Sequence, residues 1–285
     1  MILVLTVFNI RYYSIASSPD YTRVASTTGT TNLTLDILLT VLEYKTDGMQ
    51  GIKRKGFCSN YLADANIGAS IVLFLKPSNF HLPSPPTNGQ PILLIGAGAG
   101  IAPFRGFWQQ LMLNSIKGSN EIEVVQQMEM LDFNDAKAQD TASESFDEFS
   151  ESIKEKVVTL FFGCRNKQCN LLEDETKVYS KIMHRFNAFS RESNLPKQYV
   201  SDVMQKAHQS IYHSLVEQNG LVYVCGKISM ANSVFKTLVT IVAEQLIQQN
   251  VINNPESANV TAEDFINSLI DEGRYHQDIF GVDDI

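Results

Sequence analysis

Cysteine is scarce: only four thiols, at positions 58, 164, 169 and 225, occur in 285 residues. No two stand at a metal-ligand spacing with a matching His or Cys pair behind them, so no metal site is expected. So few thiols in so long a chain fit a reducing, intracellular setting. Positive charge is not in excess either, with 23 Lys and Arg against 31 Asp and Glu for a net charge of −8. The electrostatic footprint of a nucleic-acid binder is therefore missing. No run approaches the roughly 18 to 20 apolar residues of a membrane span. The opening MILVLTVFNI is apolar but short, and without a basic start or a small-residue cleavage site it is not read as a signal peptide. With no targeting signal, the cytoplasm is the expected location. Charged residues are few, at 19%, while 44% of the chain is hydrophobic. Wholesale disorder is thereby excluded, and the length suits about two domains.

The negative charge is concentrated. Between Glu121 and Lys156 there are 11 acidic and 3 basic residues, and the rest of the chain is balanced. The stretch from about 118 to 156 is rich in Ser and Gln and has no sustained apolar face, so it is expected to be a solvated, disordered surface insertion. Two glycosylation patterns, at Asn32 and Asn259, are taken as chance matches in the absence of a secretory signal.

The first ninety residues read as β structure, with apolar runs at Met1–Phe8, Leu33–Tyr44 and Ser70–Lys76 between Gly-, Ser-, Thr- and Pro-rich breaks. Pro83, Pro85 and Pro86 mark a linker, after which strands and helices alternate. The runs PILLI (91–95), VVTLFF (157–162) and LVYVC (221–225) are short buried strands. Helical patterns follow at Pro103–Leu113, Leu171–Met183 and Met230–Gln249. The pattern predicts a doubly wound α/β parallel sheet from 89 to 285, interrupted by the acidic insertion. A β-rich portion precedes it over 1–88. Such sheets bind ligands beyond the carboxyl ends of their strands, so the turns after Ile95, Phe162 and Cys225 are the places to look for chemistry.

Gly96-Ala-Gly-Ala-Gly-Ile-Ala-Pro-Phe-Arg follows a buried strand and opens a helix. Glycines let the backbone approach a pyrophosphate, and the free amides of a helix start face its charge. Ser190, Arg191, Lys197 and Tyr199 would cradle a phosphate monoester. Taken alone this run is more often an exposed basic turn, but after a strand of such a sheet it suggests the extra phosphate of NADPH. Arg11-Tyr-Tyr-Ser14 could stack on and hydrogen-bond a flavin; read alone, it is an ordinary strand end.

Eight ordered stretches resemble the FAD/NADPH reductase part of nitric oxide synthases, and less closely the related microsomal diflavin cytochrome reductases. They are RYYSIASSP (11–19), GFCSNYL (56–62), FHLP (80–83), GAGAGIAPFRGFWQQ (96–110), FFGCR (161–165), SRES to PKQYV (190–200), VYVCG (222–226) and RYHQDIFG (274–281). The resemblance implies the ferredoxin-NADP reductase-like fold and a pair of cofactors, FAD and NADPH. It assigns Arg11, Tyr13 and Ser14 to FAD, and Gly56, Cys58 and Ser59 to the turn under the FAD pyrophosphate. Gly96, Gly98 and Gly100 match the NADPH glycine turn, and Arg165 a cofactor phosphate contact. Ser190, Arg191, Lys197 and Tyr199 match the 2′-phosphate site. Ser14, Cys225 and Asp278 match the polar set around nicotinamide and flavin, and Phe280 the aromatic that covers the flavin. The implied partner is an FMN domain or haem protein that accepts electrons.

The sequence also departs from that pattern. Ala97 and Ala99 stand where close relatives often place Pro and Thr, Gly106 where a Ser is usual, and Lys227 where an acid is usual. The family's haem and FMN domains, calmodulin-binding helix, first barrel strands and helical connecting insert are not represented. The barrel is therefore expected to be truncated, and the chain alone is not expected to make nitric oxide. Three readings follow: an NADPH-dependent flavin reductase module, a non-catalytic NADPH-binding module unable to hold FAD, or an interaction module that docks on a synthase FMN domain.

Overall fold

The computed structural model describes residues 10–25, 34–46, 51–83, 89–116, 157–180 and 182–281. The expected acidic insertion and the apolar opening run lie outside these residues. In chain order, helix α1 (Pro19–Ala25) precedes a hairpin of β1 (Glu43–Lys45) and β2 (Lys53–Lys55), and then α2 (Phe57–Ala63). Strand β3 (Ile92–Ala97) runs through a 3-10 turn (Gly98–Ile101) into α3 (Ala102–Ile116). Next come β4 (Val158–Cys164), the short α4 (Glu173–Val178) and β5 (Met183–Phe189). The remainder is α5 (Val200–Lys206), α6 (His208–Tyr212), β6 (Leu221–Lys227), α7 (Ile228–Gln248), α8 (Pro255–Asp271) and β7 (Tyr275–Phe280).

The α/β class read from the sequence is what the chain adopts. Five parallel strands lie in the order β5-β4-β3-β6-β7. The chain moves outward from β3 to β5 and then crosses back to β6, so the order reverses between β3 and β6. Sheets of this kind bind ligands at such a reversal. Alternate residues face opposite sides of a strand. Leu93, Ile95, Phe161, Val222 and Val224 are buried beneath α5 to α8. Ile92, Leu94, Leu160, Phe162, Tyr223 and Cys225 are buried with Phe104, Phe107 and Trp108 of α3. Helix α8 has a sequence start signal, because the Asn254 side chain accepts from the Glu256 and Ser257 amides at 2.8 and 3.3 Å and Pro255 occupies the first turn.

Three sequence expectations change. The helix expected over Leu171–Met183 shrinks to α4, because Met183 pairs with Val158 as the first residue of β5. The strand expected over Leu33–Tyr44 is reduced to a single Ile15–Ile37 bridge and the first residues of the hairpin. Ser70–Lys76 forms no strand, and Val72, Leu73, Phe74 and Leu75 are exposed. A strand needs a partner for its backbone groups, and among the described residues none pairs with this one, although Tyr12 meets Phe74 edge-on at 6.1 Å and Lys76 at 4.8 Å.

Contacts on two sides help hold the N-terminal part on the sheet. Phe80 packs against Phe107 (5.7 Å between centroids) and edge-on against Tyr223 (5.4 Å), whose hydroxyl donates to the His81 carbonyl at 2.9 Å. On the other side, Ser18 lies against α3, its amide donating to Gln109 Oε1 at 2.9 Å and its hydroxyl to Gln110 Oε1 at 2.7 Å. A Cβ at Gly106 would stand 3.2 Å from the Ser17 carbonyl. The glycine where a serine was expected thus lets the N-terminal chain lie close against the helix.

Candidate active site

The strand register sets the site. Gly96 of β3 lies beside Cys225 of β6, which lies beside Asp278 of β7, so the three occupy one level at the carboxyl end of the sheet. Ser14 arrives from the N-terminal chain and donates from Oγ to Asp278 Oδ2 at 2.7 Å. The Cys225 thiol points to the same oxygen at 3.9 Å. Burial, and then the charge and hydrogen bond of Asp278, push the Cys225 thiol well above its ordinary value. It is therefore a neutral thiol at physiological pH, not a nucleophilic thiolate. Phe280 is two residues beyond Asp278 on β7, half-exposed at the strand end opposite Lys227.

Directly beside this trio is the glycine turn. Gly98 has φ of +56°, a conformation that disfavours a side chain. A Cβ on Gly100 would stand 2.1 Å from the Cys225 carbonyl oxygen, so only glycine allows the turn to pass over the end of β6. The main chain is then drawn tightly across the strand end before α3 begins. A turn of bare backbone leading into a helix start, at the point where strand order reverses, is suited to a pyrophosphate.

A second group lies beyond β4 and β5. The Arg191 amide donates to the Arg165 carbonyl at 2.7 Å, and the Ser190 amide and hydroxyl donate to the Cys164 carbonyl at 3.0 and 3.3 Å. These bonds set Arg165, Ser190 and Arg191 side by side. Lys197 lies over the Tyr199 ring at 4.7 Å, and the Tyr199 amide is held by Asp202 at 2.7 Å. The side chains of Arg165, Arg191, Lys197 and Tyr199 are exposed, as a site for a charged, mobile ligand requires.

The third group is on the N-terminal side. Tyr13 is half-buried, and burial first, then its hydrogen bond to Cys58, push the phenol up to about 12. Ser59 is buried; its hydroxyl accepts from the Leu42 amide at 3.1 Å and donates to the Gly56 carbonyl at 3.3 Å. Gly56 itself donates to the Leu42 carbonyl at 2.7 Å. The serine hydroxyl is thus already engaged, and what the turn offers a phosphate is backbone. Arg11 is exposed. Tyr13 and Ser14 are neighbours in sequence, which links this group to Asp278.

One network had no role assigned from sequence. Arg105 of α3 donates from Nε to both oxygens of Glu175 at 2.9 and 2.7 Å. Its Nη1 reaches Asp36 Oδ2 at 2.6 Å and the Ala16 carbonyl at 3.0 Å. Trp108 Nε1 donates to the same Glu175 at 3.0 Å. Burial works against the guanidinium charge, but Glu175 and Asp36 outweigh it and hold its pKa above the ordinary value. The signal was available: Arg105 is the lone charge in an apolar helix, and Asp36 the lone charge in the apolar run LTLDILLTVL. Among the described residues no helix is long and apolar enough to cross a membrane.

Comparison with known proteins bears on both halves. The sequence profile of the oxidoreductase NAD-binding domain matches residues 94–236. Nitric oxide synthase of Drosophila melanogaster is 32% identical over 282 residues, covering 98% of this chain and 17% of that protein. The Anopheles stephensi nitric oxide synthase is 34% identical over 277 residues, 95% of this chain and 18% of the relative. The inducible enzyme of Canis lupus familiaris is 31% identical over 283 residues, 97% of this chain and 20% of its own length. The chain thus spans about a fifth of the curated relatives it matches, and its likeness to the reductase region of nitric oxide synthases extends over nearly all of it.

Proposed function

Because the chain belongs to the oxidoreductase NAD-binding domain family, we propose that it is the FAD- and NADPH-binding part of a flavoprotein reductase. The observation that carries this reading is the meeting of Ser14, Asp278 and Cys225 at one level beside the glycine turn. Bound nicotinamide and flavin would supply the hydride chemistry. The chain's own residues bind, orient and stabilise charge. The turn at Gly96, Gly98 and Gly100 would take the NADPH pyrophosphate on bare backbone. Ser190, Arg191, Lys197 and Tyr199 would take the 2′-phosphate, which selects NADPH over NADH, with Arg165 beside them as a cofactor phosphate contact. Asp278 would face the positive charge that develops on the nicotinamide. Ser14 would fix the carboxylate, and the neutral Cys225 would close the pocket without competing as a nucleophile. Arg11, Tyr13 and the turn at Gly56, Cys58 and Ser59 would hold FAD, with Phe280 over its ring. An FMN domain or haem protein would accept the electrons.

A second reading is favoured by one observation: β1 and β2 are three residues each, and the apolar segment at Val72–Leu75 is exposed. On that reading the chain binds NADPH but cannot retain FAD. An absorption spectrum before and after adding FAD and desalting separates the two. A retained flavin band that bleaches with NADPH supports the reductase. A colourless protein that still binds NADPH supports the second reading, and one that binds neither overturns both.

A further inference from the structure

Cys164 and Cys169 have no part in the reading above, yet they flank its 2′-phosphate group. Cys164 ends β4, and its thiol donates to the Asn166 carbonyl at 3.3 Å. Cys169 sits in the one-turn helix Lys167–Cys169, and its amide donates to that same carbonyl at 3.0 Å and to Asn166 Oδ1 at 3.1 Å. Both residues therefore converge on one oxygen atom. The two are close enough for Cys169 to bear on the ionisation of the Cys164 thiol. Between them in sequence is Arg165, whose carbonyl holds the Arg191 amide, and the Cys164 carbonyl holds Ser190. The far end of the loop is fixed, because Arg185 bonds Asn170 Oδ1 at 2.6 Å and the Leu171 carbonyl at 2.9 Å.

We propose that Cys164 and Cys169 form a reversible disulfide under peroxide, and that its closure displaces Arg165 and weakens the adjoining 2′-phosphate site. The second half of this proposal rests on the NADPH reading above. Exposure makes Cys169 the residue attacked first. Its thiolate attacks the peroxide O–O bond, giving a sulfenic acid and releasing hydroxide. The Cys164 thiol then attacks that sulfur, and water leaves with its proton. Two thiols and one hydrogen peroxide give one disulfide and two waters, with two electrons passing to the peroxide. Burial, and then the nearby Cys169, push the Cys164 thiol up to about 11. That slows its own reaction with peroxide and leaves the first attack to Cys169. Closure replaces the Cys164 bond to Asn166, and with Asn170 pinned the displacement falls on residues 165–167.

The test is a non-reducing tryptic map of peroxide-treated, thiol-blocked protein, paired with NADPH and NADH titrations. Trypsin cuts after Lys156, Arg165, Lys167 and Lys177, so peptides 157–165 and 168–177 separate unless the disulfide joins them. The expected result is a linked pair of peptides, NADPH binding weakened about tenfold by displacement of a charged contact, and unchanged NADH binding. A thiol reductant should reverse both effects, and Cys169→Ser should prevent both. Two separately blocked peptides would overturn the pairing, and a linked pair with unaltered NADPH affinity would overturn its consequence. If the reduced protein binds no NADPH, the cofactor reading fails, while the peptide map still decides the pairing.

Discussion

Replacing Arg105 by methionine keeps the length of the side chain and removes its charge. The Arg105 side chain is 18% exposed and that of Glu175 is 9% exposed, so the pair is withdrawn from water. The bond to Asp36 is less sheltered, since that carboxylate is 45% exposed. It contributes at most about 1 kcal/mol. Removing the arginine leaves Glu175, among the described residues, with only the Trp108 indole as donor. Stranding one partner of a buried ion pair costs about 3–5 kcal/mol, most of it the uncompensated charge. Arg105→Met is therefore expected to lose about 3 kcal/mol. The double variant Arg105→Met with Glu175→Gln should lose only about 1–2 kcal/mol, because the stranded charge is gone. The assay is urea unfolding followed by fluorescence. Trp108 is the single tryptophan of the chain and touches the network directly, so the signal reports this locus. A single-variant loss below about 1 kcal/mol, or a double variant no more stable than the single, would refute the argument.

Gly100→Ala forces a methyl against main-chain atoms, which have no rotamer to give, and should lose about 3 kcal/mol or more. Gly98→Ala meets open space and only the strain of its positive φ, roughly 1–2 kcal/mol; equal losses in urea unfolding would contradict the close approach at Gly100. Arg191→Ala is expected to lower the NADPH-to-NADH ratio of kcat/KM by about 10- to 100-fold, and an unaltered ratio would sink the assignment. Asp278→Asn preserves an acceptor for Ser14 but removes the charge; flavin bleaching in a single turnover should slow about tenfold or more while NADPH affinity holds, whereas a pure affinity loss would give the residue a binding role instead. Burial lowers the His276 pKa below 6.5, although a backbone bond at Gly273 opposes it. The unfolded chain then binds more protons, so this contribution to stability is full above pH 6.5 and is lost as pH falls. His276→Phe keeps the stack on Tyr223 and should flatten the acid side of the Tm profile; an unchanged profile would acquit the histidine.

The sheet was legible because its strands are apolar runs bounded by turns, and each of the runs at 91–95, 157–162 and 221–225 holds a strand. The glycine turn was legible because bare backbone has no other economical sequence. What was harder to read followed from long-range pairing. Met183 looks like the end of a helix until Val158 claims it for β5, and nothing local to Ser70–Lys76 reveals that this apolar run has no strand partner among the described residues. The contact of Ser14 with Asp278 spans 264 residues, so spacing alone could not find it; it came from the resemblance. Arg105 was legible in principle, as a charge isolated in an apolar helix. Its partners were not, because Asp36 and Glu175 are brought to it by separate elements.

Helix α3 fixes both halves of the candidate site with one rigid body. Its N-terminal end grows out of the glycine turn, which Gly100 clamps against β6. One turn on, Arg105 holds the Ala16 carbonyl and Asp36, and Gln109 and Gln110 hold Ser18. The residues two and four beyond Ser14 are thus tied to the same helix that carries the turn. Ser14 itself meets a carboxylate on β7, which is placed by register with β6. A rotation of α3 would therefore move the N-terminal chain and the nucleotide turn together instead of parting them. This coupling gives Arg105 a positioning role beside the glycine turn: it ties the N-terminal chain to the helix that the turn opens.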